Sequence, residues 1–560
     1  MRDREADVLL RRTALRGPGR LIAAGLSGAA AAVAGLLLPD ATAHAVDAAI
    51  QGDPAASGAP LLLGLVVAIA GADAVNAVTT ASLTAQATAW LRRTVAAHLV
   101  RCGDQRAVDA VGAPGDLVSR LTGDAAQAGS VPETAIELVL GAVTSVGAIV
   151  ALALLDPWLA AVFALSLPPA WLLARAHWRR TSGHVSNYRQ LAGELSARLL
   201  DAAVGIRTIA ATGTQEQEAA RVLRPLPELA TSGLGMWRTQ AVMIWRAALL
   251  LPAVQVGVLV AAGFGVLTGR LTPGDLLAAL GYTGMGMTLI GYLPLLTTLA
   301  TARAGAARLA EILRVPARPE GDAELPAGKG KLELRGITVT PALSDVDLTV
   351  PAGSVVAIVG RSGAGKSTLA ATAGGLVTPD SGVVLLDGVP MHTIRSGPLR
   401  SAVGFAFERP ALLGGTVGGV IGYGRDVTDE QTESAARAAR VHDAVSRLPD
   451  GYGTTLAEAP LSGGEAQRIG LARAFVREPR VLVLDDATGS LDAVTEAGVA
   501  EAIRSSLPGH TRLVVTHRLR TAEHADLVVW LAEGRIRGVG RHDELWPMPA
   551  YRAVFTEGTS

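Results

Sequence analysis

Cysteine is almost absent: Cys102 is the single one in 560 residues. No disulfide can close within the chain, so its fold rests on packing. Charge is also scarce, at 18% of residues, against roughly 25% in soluble domains. With 49% of residues hydrophobic, a large part of the chain must avoid water. Neither sign of charge is in excess, since Lys plus Arg and Asp plus Glu both number 50. That balance gives no support for a nucleic-acid partner. Aromatic residues make up only 4% while glycines number 64, so apolar helices are expected to pack closely through small side chains.

Long uncharged runs take the place of the missing charge. Six apolar stretches fill the first half: Leu21–Leu38, Leu61–Trp90, Leu138–Leu155, Trp158–Ala174, Ala247–Gly269 and Leu276–Ala302. Only Asp73 interrupts them with a charge. Each is near or beyond the ~20 residues that cross ~30 Å of hydrocarbon, so each is an expected membrane span. Asp156-Pro157 reads as a tight hairpin turn, and Arg270–Asp275 as a second short turn. Arg2, Arg4, Arg11, Arg12, Arg16 and Arg20 precede the first span. A signal peptide shares that bias, but its apolar core is shorter and ends at a small-residue cleavage site, so a retained anchor is expected. Arginines also crowd Arg92–Arg120 and Arg175–Arg246, whereas the opposite connections hold only Arg270. This asymmetry predicts a multi-pass protein of the cell membrane with both termini cytoplasmic. The two inward connections, about 90–132 and 175–245, alternate charged and apolar residues at helical spacing, as in Leu191–Leu200. They are expected to be helices continuing past the membrane surface.

Charges return at Arg303, Arg308, Glu311 and Arg314, and then Pro316, Pro319 and Pro326 with Gly321 and Gly328 mark a linker. Beyond it, short β-rich runs (Lys331–Val339, Val346–Val350, Val355–Val359, Val383–Leu386, Val481–Leu484, Leu513–Thr516, Leu527–Leu531) alternate with helical segments. The expected architecture is therefore multi-domain. An all-α six-helix transmembrane domain covers 1–314, a linker 315–330, and an α/β P-loop nucleotide-binding domain 331–560.

Within that domain, Gly360-Arg361-Ser362-Gly363-Ala364-Gly365-Lys366-Ser367-Thr368 satisfies every fixed position of the phosphate-loop pattern G-x-x-x-x-G-K-S/T. The apolar strand Val355–Val359 precedes it and a helix is expected from Leu369, a context that a mere glycine-rich turn lacks. Gly360, Gly363 and Gly365 let the backbone curl so that successive N–H groups meet phosphate oxygens. Lys366 would reach the β- and γ-phosphates, and the Ser367 hydroxyl would hold Mg²⁺. Asp485, at the end of the strand Val481–Leu484, is placed to hold Mg²⁺ through water, although a strand ending in Asp is commonplace. Leu461-Ser462-Gly463-Gly464-Glu465, followed by Gln467 and Arg468, is more specific. A serine and two glycines opening a helix make a second anion site. It lies too near Asp485 in sequence to be expected to serve its own phosphate loop.

These motifs, with the Leu491-Asp492 turn and Thr516-His517-Arg518, occur in an order and spacing that resemble the ATP-binding-cassette transporters. Six spans ahead of one cassette resemble an exporter-type half-transporter. Gly115–Asp124 and Gly205–Ile209 resemble the family's two cytoplasmic loop segments, so the likeness covers essentially the whole chain. The resemblance implies ATP hydrolysis coupled to export by alternating access, with ATP and Mg²⁺ as cofactors. It implies a second half-transporter as partner, each ATP lying between one phosphate loop and the other chain's signature. Membrane lipid and a transported small molecule or peptide are the remaining implied partners. Coupling helices are implied near 104–115 and 206–214, and His517 as a contact to the γ-phosphate.

Four departures stand against that pattern. Where the family places a glutamate as general base, this chain has Asp486, one methylene shorter and retracted by about 1 Å; a misplacement of that size can cost on the order of 10²-fold in rate. The glutamine that links Mg²⁺ to the transmembrane domain falls at Glu408, which could ligate Mg²⁺ but adds negative charge. The aromatic that stacks on adenine is missing from Ile337–Pro341, and Gly489-Ser490 replaces the usual Ser-Ala. The chain's own site thus looks impaired while its signature is intact. A heterodimer with a partner carrying glutamate is the favoured expectation. The alternatives are a homodimer in which Asp486 suffices, a regulatory ATP-binding subunit with little hydrolysis of its own, and an exporter-fold siderophore importer, since fold does not fix direction.

Signals for the substrate are few. Asp73 and Asn76 share a helical face within the second span, as a transport-path pair or a structural hydrogen bond. Trp158, Trp171, Trp237 and Trp245 read as interfacial anchors and Arg246 as a snorkelling side chain. Leu456–Pro460, short for the family, together with the Ala- and Arg-rich composition resembles paired exporters found beside actinobacterial lanthipeptide and other natural-product genes. A peptide or natural-product substrate is expected on that likeness. The residues before the first span are too few for a peptidase domain, so the chain is not expected to cleave a leader itself.

Overall fold

The computed structural model describes residues 2–52, 58–103, 112, 114–318, 320–489, 495, 497–501 and 509–556. They fall into two compact units, Met1–Val100 with Asp109–Val315, and Arg101–Val108 with Pro316–Ser560.

The first unit is helical. Its main elements are α1 (Arg2–Ala14), α2 (Pro18–Gln51), α3 (Ala59–Cys102), α4 (Val131–Leu155), α5 (Pro157–Val204), α6 (Leu226–Leu267), α7 (Pro273–Gly291) and α8 (Leu293–Arg314). Among the described residues, four helical stretches are long and apolar enough to cross a membrane: Pro18–Gln51, Ala59–Cys102, Gly115–Leu155 and Leu249–Leu267. Pro157–Pro169 is a shorter apolar segment at the start of α5. The sixth stretch, expected as one run from Leu276 to Ala302, is instead divided between α7 and α8 at Tyr292. Pro294, in the first turn of α8, has no N–H to continue the ladder of α7, and its fixed φ suits a helix start.

The expected small-residue packing is present where helices meet. Ala148, Ala262, Ala278 and Ala279 are wholly buried beside Leu159 and Phe163. The hairpin at Asp156-Pro157 is also present. Asp156 caps α5 by accepting from the Trp158 N–H at 2.8 Å, and its buried carboxylate pairs with Arg270 between α6 and α7. Arg270, the one arginine between α6 and α7, thus neutralises a buried charge. α5 has 48 residues and α6 has 42; at 1.5 Å per residue these run about 72 and 63 Å, well beyond ~30 Å of hydrocarbon. A short helix, Ile206–Thr212, occupies the second expected coupling segment. The first, 104–115, lies mostly outside the described residues. Asp73 is exposed on α3 and Asn76 half-buried.

The second unit holds two sheets. β1 (Leu332–Val339), β2 (Leu343–Val350), β4 (Ser381–Leu386) and β5 (Val389–Pro390) form an antiparallel sheet in the order β2-β1-β4-β5. The other runs β10-β9-β3-β8-β7-β6, from β3 (Val355–Val359), β6 (Val403–Phe407), β7 (Val481–Asp485), β8 (Thr511–Val515), β9 (Leu527–Ala532) and β10 (Arg535–Gly540). β9, β3, β8, β7 and β6 are parallel, with β10 antiparallel at one edge. The apolar faces of both sheets close on one core that includes Leu334, Val346, Ile358, Leu369, Val483 and Leu513. Parallel strands buried on both faces read as continuous apolar runs, which is why β3 and β7 were recognisable. The parallel order places the carboxyl ends of β3, β8, β7 and β6 side by side, the position at which open α/β sheets bind ligands.

Candidate nucleotide site

From the end of β3 the chain passes directly into the glycine-rich loop. A Cβ on Gly360 would lie 2.2 Å from the Leu531 carbonyl oxygen, so only glycine lets the loop start this close to β9. Gly365, at φ +98°, caps the following helix α9 (Lys366–Ala373), and a Cβ there would lie 2.6 Å from the Ala342 carbonyl oxygen. The helix therefore begins three residues before the expected Leu369, which aims its unpaired N–H groups into the loop. Lys366 Nζ donates to the carbonyls of Gly360 at 2.8 Å and Arg361 at 3.0 Å, folding back across the loop. Burial lowers the pKa of Lys366, and the nearby Asp486 and Asp485 carboxylates oppose that shift.

Two strands away, β7 ends at Asp485, whose Oδ1 accepts from Ser367 Oγ at 2.8 Å. Burial raises the Asp485 pKa; Asp486 and Glu408 push the same way, while the Ser367 hydrogen bond and Lys366 oppose. Phe407 pairs in register with Asp485, so Glu408 follows at the adjacent strand end, exposed and 3.9 Å from Arg409. Asp486 turns the chain at φ +47°, in the left-handed region that Asp tolerates better than most residues. Its Oδ1 lies 3.4 Å from Nδ1 of the exposed His517, which follows β8. Arg518 spans the same edge: its N–H donates to Thr516 Oγ1 at 3.0 Å and its Nη2 to the Gly489 carbonyl at 2.9 Å. Lys366, Ser367, Glu408, Asp485, Asp486 and His517 are thus brought to one edge of the sheet.

The signature Leu461–Glu465 builds a helix start of its own. Ser462 caps α10 (Gly463–Phe475), its Oγ accepting from the Glu465 N–H at 3.3 Å while Glu465 Oε2 accepts from the Ser462 N–H at 2.8 Å. This reciprocal box holds the Glu465 pKa down, chiefly through the Ser462 backbone. Ser462 and Gly463 are exposed, leaving the helix N-terminus open to an anion. At the expected adenine platform, Ile337 and Val339 are buried in β1 while Thr340 and Pro341 are exposed. The Leu491-Asp492 turn lies outside the described residues.

Residues 360–368 suit a nucleoside triphosphate with Mg²⁺: glycines let the loop pack against the Leu531 and Ala342 carbonyls and open a helix N-terminus, and the Ser367–Asp485 hydroxyl–carboxylate pair stands at its rim. Magnesium takes few protein ligands and relies on phosphate and water oxygens, which the Ser367–Asp485 pair fits. Sequence reasoning assigned no role to Gln467, although it lies beside the signature. Its amide Nε2 donates to the carbonyls of Glu408 and Asp486, both at 3.3 Å.

A membrane helical unit joined to such a P-loop unit defines a nucleotide-driven membrane protein, and comparison with known proteins names its family. Residues 21–289 match the family described as ABC transporter transmembrane region, and residues 343–489 the one described as ABC transporter. The chain is 41% identical over 551 residues to the ABC transporter ATP-binding protein RamA of Streptomyces coelicolor, covering 97% of this chain and 86% of that one. It is 30% identical over 503 residues to the ATP-dependent lipid A-core flippase of Chromobacterium violaceum, covering 86% and 85%. The structure of a bacterial Atm1-family ABC exporter with ATP bound matches with a TM-score of 0.80 at 25% identity, over 97% of this chain and 99% of that one. The chain belongs to the ABC transporter family, with an exporter-type transmembrane region and an ATP-binding cassette fused in one multi-pass membrane protein.

Proposed function

We propose that this chain is one half of an exporter that moves its substrate across the cytoplasmic membrane by alternating access. ATP would be held between its phosphate loop and the signature of a second half-transporter. The observation that carries this reading is the meeting of Lys366, Ser367 and Asp485 at the carboxyl edge of the sheet, in a chain whose other unit is a membrane domain. The N–H groups of residues 360–368 and the Lys366 ammonium bind the phosphates. Ser367 and Asp485, with Glu408 beside them, would hold Mg²⁺, which neutralises charge on the transferred phosphoryl group when bound. Asp486 accepts the proton of the attacking water, and His517 contacts the γ-phosphate. Leu461–Glu465 offers its helix N-terminus to the partner's nucleotide. Both termini lie on the cytoplasmic side, a placement supported by the arginine asymmetry.

The short carboxylate of Asp486, the extra charge of Glu408 and the missing aromatic support a slow site in this chain and a heterodimeric partner that supplies the missing glutamate. A subunit that chiefly clamps ATP is the second reading, favoured by the same Asp486. A peptide or other natural product is the proposed substrate class, supported by the Leu456–Pro460 resemblance; the name of the lipid A-core flippase keeps lipids as the competing class. The test is co-purification with the second half-transporter, reconstitution in lipid vesicles, and substrate-stimulated ATP hydrolysis. Robust coupled hydrolysis by this chain alone would refute the heterodimer, and absence of ATP-dependent transport by the pair would refute export.

A further inference from the structure

Gln467 lies one turn into α10 with its side chain 1% exposed. Its Nε2 reaches the carbonyls of Glu408 and Asp486, at 3.3 Å each, the two residues that close β6 and β7 at the nucleotide site. Its Oε1 is buried without a hydrogen-bond partner. An unsatisfied buried polar atom costs about 1–3 kcal/mol, which an apolar residue of the same length would avoid. Packing alone therefore does not account for a glutamine here. Asp486 also holds a left-handed φ of +47°, a conformation that persists only when surrounding contacts fix it. The bond from Gln467 to its carbonyl is such a contact.

One turn before Gln467, the same helix begins at the exposed cap of Ser462 and Gly463. An α-helix rises 1.5 Å per residue, so the cap and Gln467 lie about 7.5 Å apart on one stiff rod. We propose that Gln467 is a positioning residue that couples the two nucleotide sites. An anion seated on the signature shifts α10, and Gln467 passes that shift to the backbone of Glu408 and Asp486 in this chain's own site. The inference rests on the reading that the signature serves a partner's ATP.

The test uses the assembled transporter in lipid vesicles, with ATP and Mg²⁺ as the probe. Gln467→Met keeps the side-chain volume and removes the donor. The expected result is a fall of about tenfold in turnover at this chain's own site, as misplaced reacting groups produce, with loss of cooperativity in ATP. Equilibrium ATP binding should change less than about twofold, since the phosphate loop is untouched. Gln467→Glu regains a donor only when its buried carboxyl is protonated, so its kcat relative to the unaltered protein should rise from about pH 8 to about pH 6. A purely structural role would shift thermal stability with pH but leave cooperativity in ATP unchanged, so cooperativity across the same pH range decides the matter should the methionine variant fail to fold. Unchanged cooperativity in Gln467→Met, or an unaltered transporter lacking cooperativity, overturns the coupling. Ser462→Arg, which obstructs the signature, separates the two failures. Full turnover in Ser462→Arg refutes the shared-site reading itself, whereas lost turnover there with normal Gln467→Met refutes the coupling alone.

Discussion

Lengthening Asp486 by one methylene asks whether this chain's own site is slow for want of reach. The carboxylate is 27% exposed and His517 Nδ1 stands 3.4 Å away, so a longer side chain has room to advance. The advance is about 1 Å, and errors of that size in a reacting group cost up to about 10²-fold. Glu408 and the missing adenine platform are not repaired by this change, so Asp486→Glu is expected to raise turnover at this chain's own site by roughly tenfold, or about 1.4 kcal/mol of barrier. The gain carries a cost in stability. Position 486 has φ +47°, which glutamate tolerates less well than aspartate, by on the order of 1 kcal/mol. For a domain of this size that lowers the melting temperature by about 2–4 °C. The assay is phosphate release at saturating ATP and Mg²⁺ in lipid vesicles, with the partner half-transporter's catalytic glutamate replaced by glutamine so that this chain's site is the one read, and with thermal unfolding measured alongside. Turnover that stays level or falls while ATP binding is unchanged would refute the argument that reach limits this site.

Three further outcomes follow from the same geometry. Because burial and then the neighbouring carboxylates raise the Asp485 pKa above 3.8, the native state holds that proton more tightly than the unfolded chain. The nucleotide-free protein should therefore gain stability as pH falls through the raised value toward 3.8. Asp485→Asn should flatten that dependence and raise the melting temperature near neutral pH, while losing Mg²⁺-dependent hydrolysis. Gly360→Ala drives a Cβ to within 2.2 Å of the Leu531 carbonyl oxygen; it should cost about 1–3 kcal/mol in cassette stability and weaken ATP binding in an equilibrium assay. Arg270→Ala leaves the carboxylate of Asp156, 5% exposed, without its cation. Because the arginine itself is 44% exposed, the cost is below the roughly 3–5 kcal/mol of a fully buried pair, to be read as lowered thermal stability in lipid.

What could be read from the residues was local. The phosphate loop, the signature cap and the buried parallel strands each declare themselves within about ten residues, because period, glycine placement and capping chemistry are short-range. The divided sixth stretch could not be read that way. Hydropathy is continuous through Tyr292, and prolines lie unbroken inside α2 at Pro39, α5 at Pro168 and Pro169, and α6 at Pro252, so Pro294 was no reliable stop. Pairing across the fold was equally hidden: Asp156 and Arg270 are 114 positions apart, and no spacing rule links them. Gln467 was hardest of all, since its partners are backbone carbonyls, which any residue type would present. Asp486 shows the division within one residue. Its missing methylene is plain in the sequence, but how much that matters depends on its φ, its distance from His517 and the amide behind its carbonyl, all of which the fold supplies. The chemical inventory of the site was therefore legible and its supports were not. If those supports set the rate, substitutions behind the site, at Gln467, will change turnover as much as substitutions within it.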